Sequence, residues 1–319
     1  MENRITLGIS SCLLGEQVRY DGSHKHNTYI TETLQEYFDF ISLCPERAIG
    51  LGVPRPPIRL VQIKKEDAIQ ALGVKDPGIN PTLQLSNYAK EQASHLNGII
   101  CGYILKSKSP SCGMERVKVY HSDGHPIGHS PGIYAQELMN ALNPLPFEEE
   151  GRLGDAKLRD NFIQRVFVYS RWKNMLQSPL TKNKLVQFHT HHKYMLMAHS
   201  QPHYSELGRM IAELPNDNLD TFSNNYFNKL MEALKILATR KNHVNVLAHL
   251  MGYLKNHLDA DDKKELLECF EDYKMGGIPL IVPITLLNHH FRKHPNQYIE
   301  NQYYLKPHPK ELFLRSSVF

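Results

Sequence analysis

Residues 5–12, Ile-Thr-Leu-Gly-Ile-Ser-Ser-Cys, run apolar from Ile5 to Ile9 and then break into Ser10-Ser11-Cys12. That is the pattern of a short buried strand delivering a cysteine to the loop after it. The pattern recurs. Phe38–Leu43 in FDFISLCPE ends at Cys44, with Pro45 as the breaker, and Gly98–Leu105 in GIICGYILK leads through KSKSPSCG to Cys112. Between these runs, Tyr29–Phe38 and Leu83–Leu96 carry apolar residues at three- and four-residue spacing, as amphipathic helices do. Strands alternating with helices predict a parallel-sheet, Rossmann-like α/β domain. In such sheets ligands gather outside the carboxyl ends of the strands. Cys12, Cys44 and Cys112 are therefore expected to meet on one rim.

Downstream the pattern changes. From Asp155 the segments 155–176, 184–199, 219–238, 244–258 and 261–275 all show helical periodicity with almost no strand signal, which predicts an all-α second domain. Asp261 reads as an N-cap, and Gly276-Gly277 followed by Pro279 as the stop of that helix. Pro144–Gly154, with its prolines, glycines and acidic run, interrupts both patterns and sets domains at 1–150 and 155–319.

Composition narrows the class. The chain has 319 residues, 41% hydrophobic and 22% charged, which excludes disorder as the main state. It lacks an apolar run of about 18 residues, so a soluble, cytoplasmic protein without a membrane partner is expected, with a monomer favoured. Five cysteines, an odd number, argue for reduced thiols over a disulfide framework. The net charge of +4 divides unevenly: residues 1–153 hold 15 Lys and Arg against 17 Asp and Glu, whereas 154–319 hold 22 against 16. Twelve of the 18 histidines also fall in the second part. A slightly acidic module thus precedes a basic, His-rich one.

Cys101, inside the third apolar run, and Cys269, among Leu266, Leu267 and Phe270, read as small core residues. No C-x-x-C pair occurs, which removes the zinc-ribbon and thioredoxin signatures. Three convergent thiolates without a fourth ligand suit either an iron-sulfur cluster with one open iron or a catalytic metal with an open position. An open iron is a Lewis acid whose soft character suits a sulfur-bearing substrate. Glu46, two residues after Cys44 across Pro45, is either a general base for water at the same rim or an exposed loop glutamate, the latter being the default until further context is added. The adjacent histidines at 189, 191 and 192, and at 289 and 290, point about 100° apart on a helix and do not share a metal readily. Capping, base stacking or phosphate contacts are their expected uses.

These residues also carry a resemblance. Ser11-Cys12-Leu13-Leu14-Gly15, Val18-Arg19-Tyr20-Asp21-Gly22, Cys44-Pro45-Glu46, Gly50–Pro57, Leu105-Lys106 and Ser109–Gly113 resemble the thiouracil desulfidase family over about residues 4–150. The second part, with FHTHHKY at 188–194, ATRKNH at 238–243 and LLNHHFR at 286–292, is similar to the helical domain of a two-domain subfamily, the tRNA 4-thiouridine desulfidases. The resemblance implies a 4Fe-4S cluster on Cys12, Cys44 and Cys112, used without net redox change. It further implies that an open iron takes the thiocarbonyl sulfur while a water activated by Glu46 replaces it. A serine assists proton transfer, either Ser109, which is favoured, or Ser111, which adjoins the ligand. The helical domain would then hold tRNA, with Lys193, Arg240, Lys241, Arg292 and Lys293 among the phosphate contacts. A free thiouracil or other thiolated nucleobase is the alternative substrate. A non-catalytic RNA-binding protein with a structural metal site is the alternative class.

Overall fold

The computed structural model describes residues 4–64, 66–312 and 314–316. The chain divides into two compact units, residues 1–154 and 155–319. The first is built on a four-stranded sheet, β1 (Ile5–Ser10), β2 (Phe38–Leu43), β5 (Tyr103–Leu105) and β8 (Phe147–Glu149). The strand order is β2-β1-β5-β8 and every pairing is parallel. A parallel α/β domain followed by a helical one is thus the architecture, as expected. Ile5 pairs with Phe38 and Ser10 with Leu43, so the strands preceding Cys12 and Cys44 end in register.

The third apolar run is extended over less of its length than its composition suggests. Only Tyr103–Leu105 forms β5, because Gly98 turns at φ +72° after a helix end. Residues 101 and 102 still lie along β1, where the Cys101 amide donates to the Thr6 carbonyl and the Gly8 amide donates to the Gly102 carbonyl, both at 2.9 Å. Gly8 has no alternative here, since a Cβ at that position would drive into the fully buried Tyr103 ring. Periodicity placed a helix at Tyr29–Phe38; the segment is a wide π-turn, Tyr29–Leu34, running into α1 (Gln35–Tyr37).

A second sheet, β3 (Ile58–Val61), β4 (Gln70–Gly73), β6 (Val117–Tyr120) and β7 (Pro126–Ser130), has the order β4-β3-β6-β7 with two antiparallel pairs. It shares a core with the helices α3 (Thr82–Leu96) and α4 (Ile133–Ala141), in which Leu60, Ala71, Leu85, Val117, Val119 and Ile133 pack together. Between β2 and β3 lies α2, a single turn over Pro45–Ala48 with Pro45 at its first position, where a missing N–H costs nothing.

The second unit is helical: α5 (Ala156–Met175), α6 (Lys182–His199), α7 (Gln201–Ala212), α8 (Leu219–Lys235), α9 (Arg240–Met251), α10 (Ala260–Met275), α11 (Ile281–Lys293) and the short α12 (Gln297–Glu300). Asp155 caps α5 by accepting from the Lys157 and Leu158 amides. The cap of α10 is Asp259, which accepts from the Asp262 amide at 2.8 Å; Asp261, expected in that role, lies inside the first turn. Gly276 ends α10 in the left-handed region at φ +89°. Trp172 stacks on Phe227 at 4.4 Å and 3°, at the centre of a core with Leu185, Phe188 and Leu230. Cys101 is buried as expected, whereas Cys269 is only partly covered because it lies on the margin of the α10 face that Leu266 and Phe270 bury.

Candidate functional site

The parallel register of β1, β2 and β5 brings their carboxyl ends to one rim, and a cavity of about 450 Å³ opens there. Cys12, Cys44 and Cys112 all line it, together with Glu46, Ser109 and Lys106. Cys12 sits in a 3-10 turn, Ser11–Leu14, directly after β1; Cys44 is the N-cap of α2; Cys112 ends the Ser-Pro-Ser loop after β5. Cys12 and Cys112 are buried and Cys44 is partly so.

The three thiols feel one another. Burial pushes the Cys12 thiol up to about 11, with Cys44 adding to the rise while Lys106 draws it back. Burial likewise raises Cys44, and it raises Cys112 well above the ordinary thiol range, helped by Glu46, Cys44 and Cys12. Without a cation among them these thiols stay protonated, and a bound metal centre would ionise them. The Cys44 Sγ donates to the Val18 carbonyl at 3.8 Å.

Glu46 stands in the first turn of α2 with its side chain 13% exposed. Both of its oxygens are engaged. Oε1 accepts from Ser111 Oγ at 2.8 Å, and Oε2 accepts from Arg55 Nε at 2.8 Å and Nη2 at 2.5 Å. Arg55 is itself buried, and its Nη1 donates to the carbonyls of Val18 and Gly52, each at 2.9 Å. The guanidinium thus ties the 18–20 loop, the 52–55 loop and the carboxylate together. From the sequence, Arg55, among Pro54, Pro56 and Pro57, is expected either to orient substrate or to face solvent; it is buried and holds the Glu46 carboxylate, nine residues away.

The two serines take different positions. Ser109 lines the cavity, and its Oγ accepts from the amides of Ser111 at 3.3 Å and Cys112 at 3.1 Å, which folds the loop that carries Cys112. Ser111 is fully buried behind Glu46. Beside them, Lys106 pairs with Glu150, whose carboxylate also accepts from the Ser107 amide and hydroxyl, each at 2.7 Å. At the mouth stand Tyr20, 41% exposed, with the Arg19 guanidinium 5.5 Å from its ring centroid, and the exposed Lys25 and Lys108. The entrance is therefore basic although its domain carries more acids than bases.

Of the five expected RNA contacts, Arg240 and Lys241 come together in the first turn of α9, lining a cavity of about 590 Å³. Lys193 lies on α6 with its Nζ 4.8 Å from the Tyr298 ring, and Arg292 and Lys293 are exposed in the last turn of α11. Lysine and arginine at a helix C-terminus complement the dipole there. Several expected histidine uses are corrected by burial. His189 bonds Tyr226 Oη at 2.9 Å, His192 bonds the Phe188 carbonyl at 2.7 Å, and His290 is 4% exposed; these rings are core members.

Among the described residues, no three His, Cys, Asp or Glu side chains close on a point as the ligands of a single metal ion do. A cluster of several irons takes its thiolates at wider spacing than one ion, and three soft thiols on one cavity wall are the donor type for it. Among the described residues, no helix is long and apolar enough to cross a membrane.

Comparison with known proteins follows the same division. The model of the 2-thiouracil desulfurase family matches residues 7–150, and that of a protein of unknown function (DUF1722) matches residues 193–309. The chain is 30% identical over 159 residues to the uncharacterized protein YbgA of Escherichia coli (strain K12), covering 50% of this chain and 94% of that one. It is 33% identical over 108 residues to the uncharacterized protein YbbK of Bacillus subtilis (strain 168), covering 33% of this chain and 71% of that one. A solved structure of the 4Fe-4S-dependent thiouracil desulfidase TudS aligns with 48% of this chain and 95% of its own, at 24% identity and a TM-score of 0.37. The chain belongs to the family of YbgA and YbbK and is a two-domain, thiouracil-desulfidase-like protein, matched by the 2-thiouracil desulfurase model over 7–150 and by the DUF1722 model over 193–309.

Proposed function

We propose that this protein is an iron-sulfur-dependent desulfidase that converts 4-thiouridine in tRNA to uridine, acting as a cytoplasmic monomer. The observation that carries the reading is the convergence of Cys12, Cys44 and Cys112 with Glu46 on one cavity wall. The three thiols would hold a 4Fe-4S cluster, which when bound supplies a thiophilic Lewis acid with one open iron and so favours departure of sulfur from carbon.

The chain's own residues supply the rest. Water is a weak nucleophile at neutral pH, and Glu46 is the carboxylate positioned to take its proton as it attacks the thiocarbonyl carbon. Arg55 and Ser111 hold that carboxylate from both sides, so its orientation is set before substrate arrives. Ser109 uses its oxygen to accept two amide hydrogen bonds, which leaves its proton to be given to a substrate atom. The balance is a thiocarbonyl and water exchanged for a carbonyl and hydrogen sulfide, with no change of oxidation state.

Support for a nucleic acid over a free base comes from the mouth of the cavity. Lys25 and Lys108 stand at the entrance beside the Arg19–Asp21 pair, and a neutral free base has no use for cations there. A phosphodiester flanking the reacting base does. A paired or stacked base would have to be extruded to enter, at a cost of a few kcal/mol that backbone contacts offset.

The test is anaerobic reconstitution with iron and sulfide, followed by incubation with natively thiolated tRNA and, in parallel, with free 4-thiouracil. Loss of 4-thiouridine with stoichiometric sulfide release is expected, with kcat/KM for tRNA well above that for the free base. Turnover of the free base alone would move the assignment to a thiobase desulfidase. Turnover of neither by cluster-loaded protein would refute the enzymatic reading.

A further inference from the structure

The second cavity, in the helical domain, has no part in the desulfuration chemistry. It measures about 590 Å³, within the range of small-ligand sites. Its wall carries Lys157, Arg240, Lys241 and Arg315 against one carboxylate, Asp160. That carboxylate is already satisfied: it accepts from Gln164 Nε2 at 2.6 Å and contacts His308 Nε2 at 3.0 Å. Burial alone would raise Asp160, yet the His308 hydrogen bond and the Arg315 charge hold it below the ordinary carboxylate range. Arg240, Lys241 and Arg315 leave the wall with a net positive charge.

Arg315 is the more specific observation. It is 5% exposed and its Nη1 donates to the Tyr304 carbonyl at 2.6 Å, but its buried Nε has no hydrogen-bond partner; the nearest acid, Asp160, is 3.8 Å away. Among the described residues, Arg315 therefore stands buried at the cavity wall, its charge compensated only by the longer Asp160 contact. Arg240 is held from the other side. Its guanidinium lies where a Cβ on residue 276 would stand, so Gly276 is required there both by its φ of +89° and by this close approach. The 12-residue helix α9 starts at the same wall and adds the positive end of its dipole. Tyr273, Leu237 and Leu280 give the cavity an apolar side, and its volume exceeds what an inorganic anion fills.

We propose that this cavity is a second binding site that takes a nucleotide through its phosphate ester, the phosphate held by Arg240, Lys241 and Arg315 and the nucleoside against the Tyr273 side. The same chemistry is offered by a free nucleoside monophosphate and by the 5′-phosphorylated end of an RNA strand. The site stands independently of the cysteine cavity, and its occupancy needs neither cluster nor thiolated base.

Full-length protein is titrated calorimetrically with uridine monophosphate, uridine, inorganic phosphate and a short 5′-phosphorylated oligoribonucleotide, at two salt concentrations. Saturable binding of the monophosphate is expected, tighter than phosphate and far tighter than uridine. Lys241→Glu changes an exposed residue and is expected to weaken it about tenfold with an unchanged melting temperature. Arg315→Lys keeps the charge but not the planar fork and is expected to weaken it several-fold, as a second variant independent of the first. Displacement of the oligoribonucleotide by the monophosphate assigns the site to RNA ends; monophosphate binding without displacement assigns it to the free nucleotide. The proposal is overturned if uridine binds as tightly as its monophosphate, if folded wild-type protein binds no phosphate ester, or if both variants bind like wild type.

Discussion

Arg55→Ala tests how the proposed base is held. The guanidinium donates twice to Glu46 Oε2 and once each to the Val18 and Gly52 carbonyls, with the Arg55 side chain 4% exposed and the Glu46 side chain 13% exposed. Removing one member of so buried a pair leaves the other charge uncompensated, and such losses cost about 3–5 kcal/mol. In a unit of 154 residues that corresponds to a fall of about 6–20 °C in its melting temperature. Ser111 retains one oxygen of Glu46, so the carboxylate is expected to stay in the cavity but to rotate about that single contact. A misplacement on the order of 1 Å costs roughly 10²-fold in rate. The assay is steady-state desulfuration by reconstituted protein alongside differential scanning fluorimetry. The expected result is a kcat lowered about 100-fold with KM changed little, and Arg55→Lys rescuing less than a tenth of it, since an ammonium cannot supply both the fork and the two carbonyl contacts. A folded Arg55→Ala protein with kcat within twofold of wild type would refute the positioning argument and with it the importance of a pre-oriented Glu46.

The two serines should separate: Ser111→Ala removes one contact to Glu46 and is expected to lower kcat about tenfold with full iron loading, whereas Ser109→Ala unties the Cys112 loop and is expected to lower iron content as well, measured as iron per chain. Lys25→Ala with Lys108→Ala is expected to raise KM for tRNA and reduce the salt slope by about two, leaving free thiobase turnover unchanged; equal losses on both substrates would deny the mouth its phosphate contacts. Burial holds His199 at about 4 against an ordinary 6.5, so the unfolded chain binds its proton first as pH falls. Its contribution is whole above 6.5 and is lost between 6.5 and about 4, roughly 3 kcal/mol in all, and urea melts of His199→Gln across that window should show a flatter acid limb than wild type. Gly8→Ala forces a methyl group into the buried Tyr103 ring and is expected to destabilise the first unit by about 1–3 kcal/mol, read from chemical denaturation.

The convergence of Cys12, Cys44 and Cys112 was readable because a parallel sheet sends every strand's carboxyl end to the same side, so three strand-then-Cys patterns imply one rim without any knowledge of register. Glu46, two residues from Cys44, was readable as either a base or an exposed loop residue. Arg55 was noted only as orienting substrate or facing solvent; its hold on Glu46 was not readable, since its burial depends on the Val18 and Gly52 carbonyls, which a linear reading does not bring near it. The β4-β3-β6-β7 sheet escaped for another reason: its strands are four or five residues long, and Pro126, Gly128 and Gly73 dilute their composition. The histidine clusters misled because His189, His192 and His199 fall at spacings of three and seven on α6, which puts all three on its inward face. Polar residue type argued for solvent, and periodicity decided for the core.

The proposed ligands come from three separate strand ends, Cys12 and Cys44 lying 32 residues apart and Cys44 and Cys112 a further 68. No local segment of the nascent chain holds two of them, so metal capture has to wait until β1, β2 and β5 have paired. Cluster loading on the proposed ligands would then act as an inspection of the assembled sheet: a misregistered strand would fail to present its thiol, and iron would not be retained. The converse also holds, because a centre bound at all three ends braces those strands against separation and links sheet stability to iron supply.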